Sequence, residues 1–267
     1  MHLPRLIEPE ALVEHLDDPR LVIVDLSSAD HFAQGHVPGS INLNFRELIV
    51  GTLPAPGKIP TEAKLISVLQ KLGINQDSWI VALDDEGGGW AGRLLWSLDL
   101  FGFTRASYLN GGLVAWRNEG FACSTKGHEP EQGNFTGSID SDKLSEASDL
   151  IASFNSANPL QVLDARSPAE FSGEKQLSQR AGHMPNAINI EWTELMDHQR
   201  NLRIRTDAME YLQQKGVDLD KPIVTHCQSH HRSGFTWLVG TLLELDIRAY
   251  HGSWSEWGNR EDTQVEL

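Results

Sequence analysis

The chain has 267 residues, 40% hydrophobic and 22% charged, a length for one large domain or two of ordinary size and the balance of a soluble globular protein. Its 22 basic against 37 acidic residues leave a formal charge of −15, which argues against nucleic acid and anionic membranes as partners. Two cysteines, Cys123 and Cys227, are too few for a disulfide framework, and free thiols fit a reducing, cytoplasmic setting.

The first sixteen residues, MHLPRLIEPEALVEHL, hold no long apolar core and run into a helical pattern with acidic residues. Neither a signal peptide nor a membrane span is expected there. Residues 21–24 form a short apolar, β-prone run that ends at Asp25, and Gly35-His36-Val37-Pro38 comes after it. A second apolar run, residues 80–83, leads into Asp84-Asp85-Glu86-Gly87-Gly88-Gly89. That glycine run invites comparison with a phosphate cradle, but three acidic side chains and no lysine oppose it. The glycines read instead as permission for tight backbone geometry. Tyr108 then opens YLNGGLVAW, residues 108–116.

Residues 124–137, STKGHEPEQGNFTG, are polar and glycine-rich, and the chain beyond them repeats the chain before them. QVLDARSPAEF (161–171) and AGHMPNAINI (181–190) match VIVDLSSADHFAQGHVPGSINL (22–43), with Asp164 for Asp25 and His183 and Pro185 for His36 and Pro38. IVTHCQSHHR (223–232) matches IVALDDEGGG (80–89), and AYHGSWSEW (249–257) matches YLNGGLVAW. Four matched blocks in one order make two copies of one α/β unit. The expected division is 1–123, a linker at 124–135, and 136–267. Short apolar strands alternating with helical segments predict a mostly parallel sheet in each, with helices on both faces. The Gly-His-x-Pro histidines, the strand-end Asp25 and Asp164, and Trp116 and Trp257 read as structural: turn hydrogen bonds, caps, and packing. Asp164 and Arg166 are placed to form an internal ion pair.

The chemistry concentrates after residues 223–225. A cysteine, Cys227, ends that strand, a polar loop succeeds it, and apolar residues at helical spacing (Phe235, Leu238, Val239, Leu242) come next. Strand tips that feed helix N-termini are where open α/β folds bind anions. A thiol reacts as its thiolate, and a free cysteine with a pKa of about 8.5 is scarcely ionised at neutral pH. A helix N-terminus, converging backbone N–H groups and the cation of Arg232 each favour the anion. The alternative is a buried cysteine acting as a small apolar residue. The five polar residues after Cys227 resist burial and favour the reactive reading. A zinc site from His226, Cys227, His230 and His231 is open by residue type, but adjacent ligands crowd a tetrahedral metal.

Cysteine, four residues, arginine and serine after a buried strand resembles the active-site loop of the rhodanese sulfurtransferases. The related phosphatases place five residues between Cys and Arg, so the shorter loop here suits a sulfur atom better than a phosphoryl group. Tandem rhodaneses also pair an inactive first copy with an active second one, which Asp84 in place of a cysteine mirrors, and many carry EGGGWAGR, residues 86–93. The resemblance implies two tandem rhodanese-like domains, the second catalytic. Cys227 would carry a persulfide, with Gln228, Ser229, His230, His231, Arg232 and Ser233 as the substrate-binding loop and neither cofactor nor metal. Donors would be thiosulfate or 3-mercaptopyruvate, and the acceptor a thiol or cyanide, with a protein thiol such as thioredoxin among the candidates. His230 and His231 are open between proton transfer and solvated loop positions. Where the family carries a donor-binding arginine this chain has Glu170, expected at the cleft mouth facing the donor's charge. A sulfur carrier or redox sensor, and a Cys/Arg phosphatase or arsenate reductase, are the competing readings.

Overall fold

The structure, a computed structural model, describes residues 2–267. It divides into two compact units. The first takes residues up to Leu48, Pro60–Asp140 and Met196–Ile204; the second takes Ile49–Ile59, Ser141–Leu195 and Arg205–Leu267.

In the first unit the strands are β1 (Leu6–Ile7), β2 (Leu21–Asp25), β3 (Ile41–Asn42), β4 (Trp79–Leu83) and β5 (Ala106–Leu109). They form one sheet in the order β1-β5-β4-β2-β3, every neighbouring pair parallel. Every residue of β4, WIVAL, is buried, as a strand covered on both faces requires. The connecting helices are α1 (Pro9–Val13), α2 (Ala29–Gln34), α3 (Glu62–Lys71), α4 (Gly89–Asp99) and α5 (Gly112–Asn118). Ile23, Val81, Leu83, Leu109, Leu113 and Trp116 share one core cluster.

The second unit repeats the plan with β6 (Leu144–Ser145), β7 (Gln161–Asp164) and β8 (Ile188–Asn189), then β11 (Ile223–His226) and β12 (Ile247–Tyr250). The order β6-β12-β11-β7-β8 is the same, and again all parallel. Its helices are α6 (Ala147–Phe154), α7 (Pro168–Phe171), α8 (Ala208–Gln214), α9 (Arg232–Leu242) and α10 (Ser253–Trp257). The intervening β9 (Met196–Asp197) and β10 (Arg203–Ile204) form an antiparallel hairpin that belongs to the first unit. Each five-stranded sheet is thus fully parallel and flanked by helices.

Residues 124–135 do not hang free as a spacer. Ser124 pairs with His36 through two 2.9 Å backbone bonds, and the Gly133 and Phe135 N–H groups bond the Gln70 and Ile74 carbonyls. A side chain at Gly133 would collide with the Ile74 carbonyl, 2.2 Å from the Cβ position, so a glycine lets the chain lie against α3's end.

The repeated histidines are structural. His36 stacks on Phe32 and bonds its carbonyl at 2.8 Å; His183 stacks on Phe171 and bonds its carbonyl at 2.9 Å. Asp25 caps the Ser27 N–H, and Asp164 holds Arg166 in a buried pair at 2.6 Å. Trp116 and Trp257 are buried and donate to the Ala122 and Gln264 carbonyls.

Candidate active site

Cys227 stands directly after β11, and α9 begins five residues later at Arg232. The loop between them is fixed by α10. The Trp254 N–H donates to the Cys227 carbonyl and the Ser255 N–H to the Gln228 carbonyl, both at 2.9 Å. The Cys227 N–H donates to Ser253 Oγ at 3.4 Å. Ser253 takes a left-handed φ of +53° to do so. Nothing in the loop's own sequence signals this support; the matched block at residues 249–257 is its only trace.

A second support comes from the segment Ile49–Ile59. A Cβ at Gly57 would lie 2.1 Å from the Ser229 carbonyl oxygen, so only glycine allows this approach to the loop. Lys58 bonds Glu146 and Glu256 at 2.9 Å each. The Ile59 N–H donates to His251 Nδ1 at 3.1 Å, which leaves the proton on Nε2, 3.0 Å from Glu146.

The loop turns inward more than its polarity suggests. Cys227 is 1% exposed, and His230 and Ser233 are fully buried. Of the five polar residues expected to resist burial, Gln228, Ser229, His231 and Arg232 stay partly exposed and His230 alone is buried, its Nδ1 lying 2.8 Å from Ser233 Oγ. His231 and Arg232 are half-buried, with the His231 ring 5.5 Å from that of Trp192. Gln228 reaches the Leu177 carbonyl and Ser178 Oγ, and Ser229 lies under Gly57.

The electrostatics favour an anionic sulfur. Burial pushes the Cys227 thiol up, but the Arg232 charge, the Ser233 N–H and hydroxyl, and His231 outweigh it and hold its pKa below the ordinary thiol value. Beneath the loop, burial lowers the pKa of His226 and keeps the imidazole neutral, although Asp164 lies 3.5 Å away. Arg166 completes this buried group, its guanidinium 4.4 Å from the Trp254 ring.

Glu170 departs from expectation. Its carboxylate is 3% exposed and does not face the cleft mouth; it grips Arg232 in a bidentate pair at 2.7 and 2.8 Å. Burial opposes its charge, yet Arg232 and the Ser167 hydroxyl and N–H bring its pKa down to about 2. The acidic residue on α7 and the basic residue on the loop belong together, which neither position reveals alone.

The matching loop of the first unit has a carboxylate where the thiol stands. Asp84 Oδ1 accepts the N–H groups of Glu86, Gly87 and Gly88 at 3.2, 3.1 and 2.8 Å, and Oδ2 that of Ala91 at 2.9 Å. Among the described residues no cluster of His, Cys, Asp or Glu is arranged to hold a metal ion, and no helix is long and apolar enough to cross a membrane.

A rhodanese-like domain model matches residues 8–119 and again 146–260. The thiosulfate sulfurtransferase of Azotobacter vinelandii is 45% identical over 266 residues, 99% of this chain and 98% of that protein. The 3-mercaptopyruvate sulfurtransferase of Escherichia coli K12 is 30% identical, covering 96% and 95%. The crystal structure of the Escherichia coli 3-mercaptopyruvate sulfotransferase SseA superposes with a TM-score of 0.80 at 29% identity, over 94% of this chain and 99% of that one.

Proposed function

The chain belongs to the rhodanese-like family, in two tandem copies, and is a sulfurtransferase that works through a cysteine persulfide; on that premise we propose that Cys227 is the sulfur carrier, that residues 228–233 are its cradle, and that thiosulfate is the donor. The observation that carries this reading is a buried thiol, at the mouth of α9, held below its ordinary pKa by Arg232 and Ser233. The other cysteine, Cys123, is exposed and sits on no such loop.

The reaction runs in two displacements. The Cys227 thiolate attacks the outer sulfur of thiosulfate, the sulfur–sulfur bond breaks, and sulfite leaves with the electron pair. An acceptor thiolate or cyanide then attacks the outer sulfur of the Cys227 persulfide and returns the thiolate, so the kinetics are ping-pong. Between the steps Cys227 carries its negative charge on sulfur, as thiolate or as persulfide, which is what loop N–H groups and a nearby guanidinium stabilise. Thiosulfate takes precedence over 3-mercaptopyruvate because the relative that acts on it is the more similar of the two. The first copy, with Asp84 at the carrier position, takes up no sulfur. Two free thiols support a reducing, cytoplasmic location, where small thiols, cyanide or a protein thiol such as thioredoxin serve as acceptor. Intact mass after incubation with thiosulfate tests the reading: one added sulfur, lost on addition of cyanide, is the expected result, and no addition overturns it.

A further inference from the structure

His230 occupies a place in the loop that is hard to reach. It takes a left-handed φ of +53° without being glycine, and its side chain is fully buried. That conformation turns the imidazole inward, where Nδ1 lies 2.8 Å from Ser233 Oγ. Ser233, also fully buried, meets the Cys227 sulfur with both its backbone N–H and its hydroxyl.

A hydroxyl has one proton to give. An anionic Cys227 sulfur only accepts, so Ser233 must donate to it and can then only accept from His230, whose proton must be on Nδ1. In the opposite arrangement Ser233 donates to a bare Nδ1 and accepts from a protonated thiol. The tautomer of His230 and the charge of the sulfur are therefore tied together through one rotatable hydroxyl.

We propose that His230 is a positioning residue: held with its proton on Nδ1, it aims the Ser233 hydroxyl at Cys227 and so favours the anionic sulfur. This rests on the reading of Cys227 as the sulfur carrier. The other charged or titratable groups around the sulfur are Arg232 and His231 on the loop, His226 before it, Asp164 and Arg166 from the end of β7, and Glu170 behind Arg232. All of them stay in place in the variants below.

The test is the pH dependence of Cys227 alkylation by iodoacetamide, followed by intact mass in a Cys123→Ser background. His230→Gly removes the imidazole and relieves the left-handed strain, so a role confined to the fold leaves the titration where it is. Instead the midpoint rises by about one unit, an alkylation about tenfold slower below it, and Ser233→Ala does the same. The double variant shifts no further than Ser233→Ala alone, because the imidazole acts only through the hydroxyl. His230→Asn, which tolerates the backbone and keeps an N–H donor, shifts less than His230→Gly. An unshifted midpoint in His230→Gly, or a double shift equal to the sum of the singles, overturns the proposal. Sulfur loading from thiosulfate on the same samples separates the two claims. Loading that persists beside an unshifted titration removes the role of His230 only, whereas Cys123→Ser protein that never loads removes Cys227 as carrier.

Discussion

In the first unit the amides after β4 converge on a carboxylate; in the second, the loop after β11 surrounds a thiol. The scaffolds agree closely. The carbonyl of Asp84 accepts the Leu113 N–H at 2.8 Å, and that of Cys227 accepts the Trp254 N–H at 2.9 Å. The residues before those donors, Gly112 and Ser253, share left-handed φ values of +55° and +53°. What differs is the side chain at the strand tip. Counting bonds from Cα, a carboxylate oxygen of Asp84 stands where the outer sulfur of a cysteine persulfide would stand. On the proposed reading of Cys227, Asp84 is a permanent occupant of a cradle that the second copy would fill and empty with each turnover. Backbone N–H groups meet the strand-tip side chain in both copies, four at Asp84 and that of Ser233 at Cys227, and the side chain they meet is the first difference between the two loops.

The largest effect that bears on this contrast is the removal of the exchangeable group. Cys227→Ser should lower sulfur transfer by at least about a thousandfold, since a hydroxyl is scarcely ionised at neutral pH and cannot carry the sulfur. Cys123→Ser should leave it nearly unchanged. Comparable activity in both variants, by cyanide assay and intact mass, would falsify the assignment.

Moving the thiol to the other copy probes the cradle itself. In a Cys227→Ser background, Asp84→Cys should restore a detectable sulfur addition, about a hundredfold slower than the natural site. Asp85 and Glu86 repel an anionic donor, and the residue at Arg232's place is Gly89, so neither steering nor thiolate stabilisation is matched. Failure to load even with excess thiosulfate would mean that the two loops share hydrogen bonds but not function. In the wild type, burial first and Glu86 second push the Asp84 carboxyl up to about 6, against its four N–H donors. The fixed occupant is itself less than comfortable as an anion.

Acid exposes a third difference. Glu170 is held at about 2 by Arg232 in the folded second unit, against 4.5 for an ordinary glutamate. A carboxyl with a depressed folded pKa contributes stability above its unfolded value and loses it as pH falls from about 4.5 to about 2. The loss is about 3 kcal/mol at most for a pair this buried. Urea unfolding at a series of acidic pH values should show this decline, and Glu170→Gln should flatten it. A variant whose acid limb parallels the wild type would place the lost stability in other carboxylates.

Much of the molecule is legible in its sequence. Four repeated blocks carry the doubled architecture because each maps to a strand tip or the turn after it, where few residue types fit. The position of Cys227, at a strand tip ahead of a helix, is legible because an apolar β-prone run and an apolar helical pattern bracket it, and the structure places it between β11 and α9. The rest depends on partners far apart in the chain. Glu170 and Arg232 meet only once β7 and β11 pair side by side, with Asp164 opposite His226. His230 looks like any polar loop residue until its positive φ turns it inward. Gly57, in a stretch with no periodicity, gains meaning only from the Ser229 carbonyl it approaches. Asp84 reads as a source of repulsion, because sequence shows its charge but not the four amides that absorb it.

The smallest expected effect concerns how an anionic donor senses the ion pair. Arg232 is 19% exposed in its side chain and is the charge that most favours the anionic sulfur, yet it is paired with the Glu170 carboxylate at 2.7 Å. Two unit charges about 6 Å apart interact by roughly 3 kcal/mol at an effective dielectric of 20, and solvent and salt reduce this several-fold. Glu170→Gln removes the compensating charge and keeps an oxygen to accept from the guanidinium. The apparent KM for thiosulfate should therefore fall severalfold at low ionic strength, and the gain should fade as salt is added. The maximal rate should change less, because the N–H cradle is untouched. If instead KM is unaltered across the salt titration while the Cys227 titration moves, Arg232 serves the sulfur and not the donor. The cation would then be doing in the second copy what the four amides around Asp84 do in the first, which is to hold one anion in place.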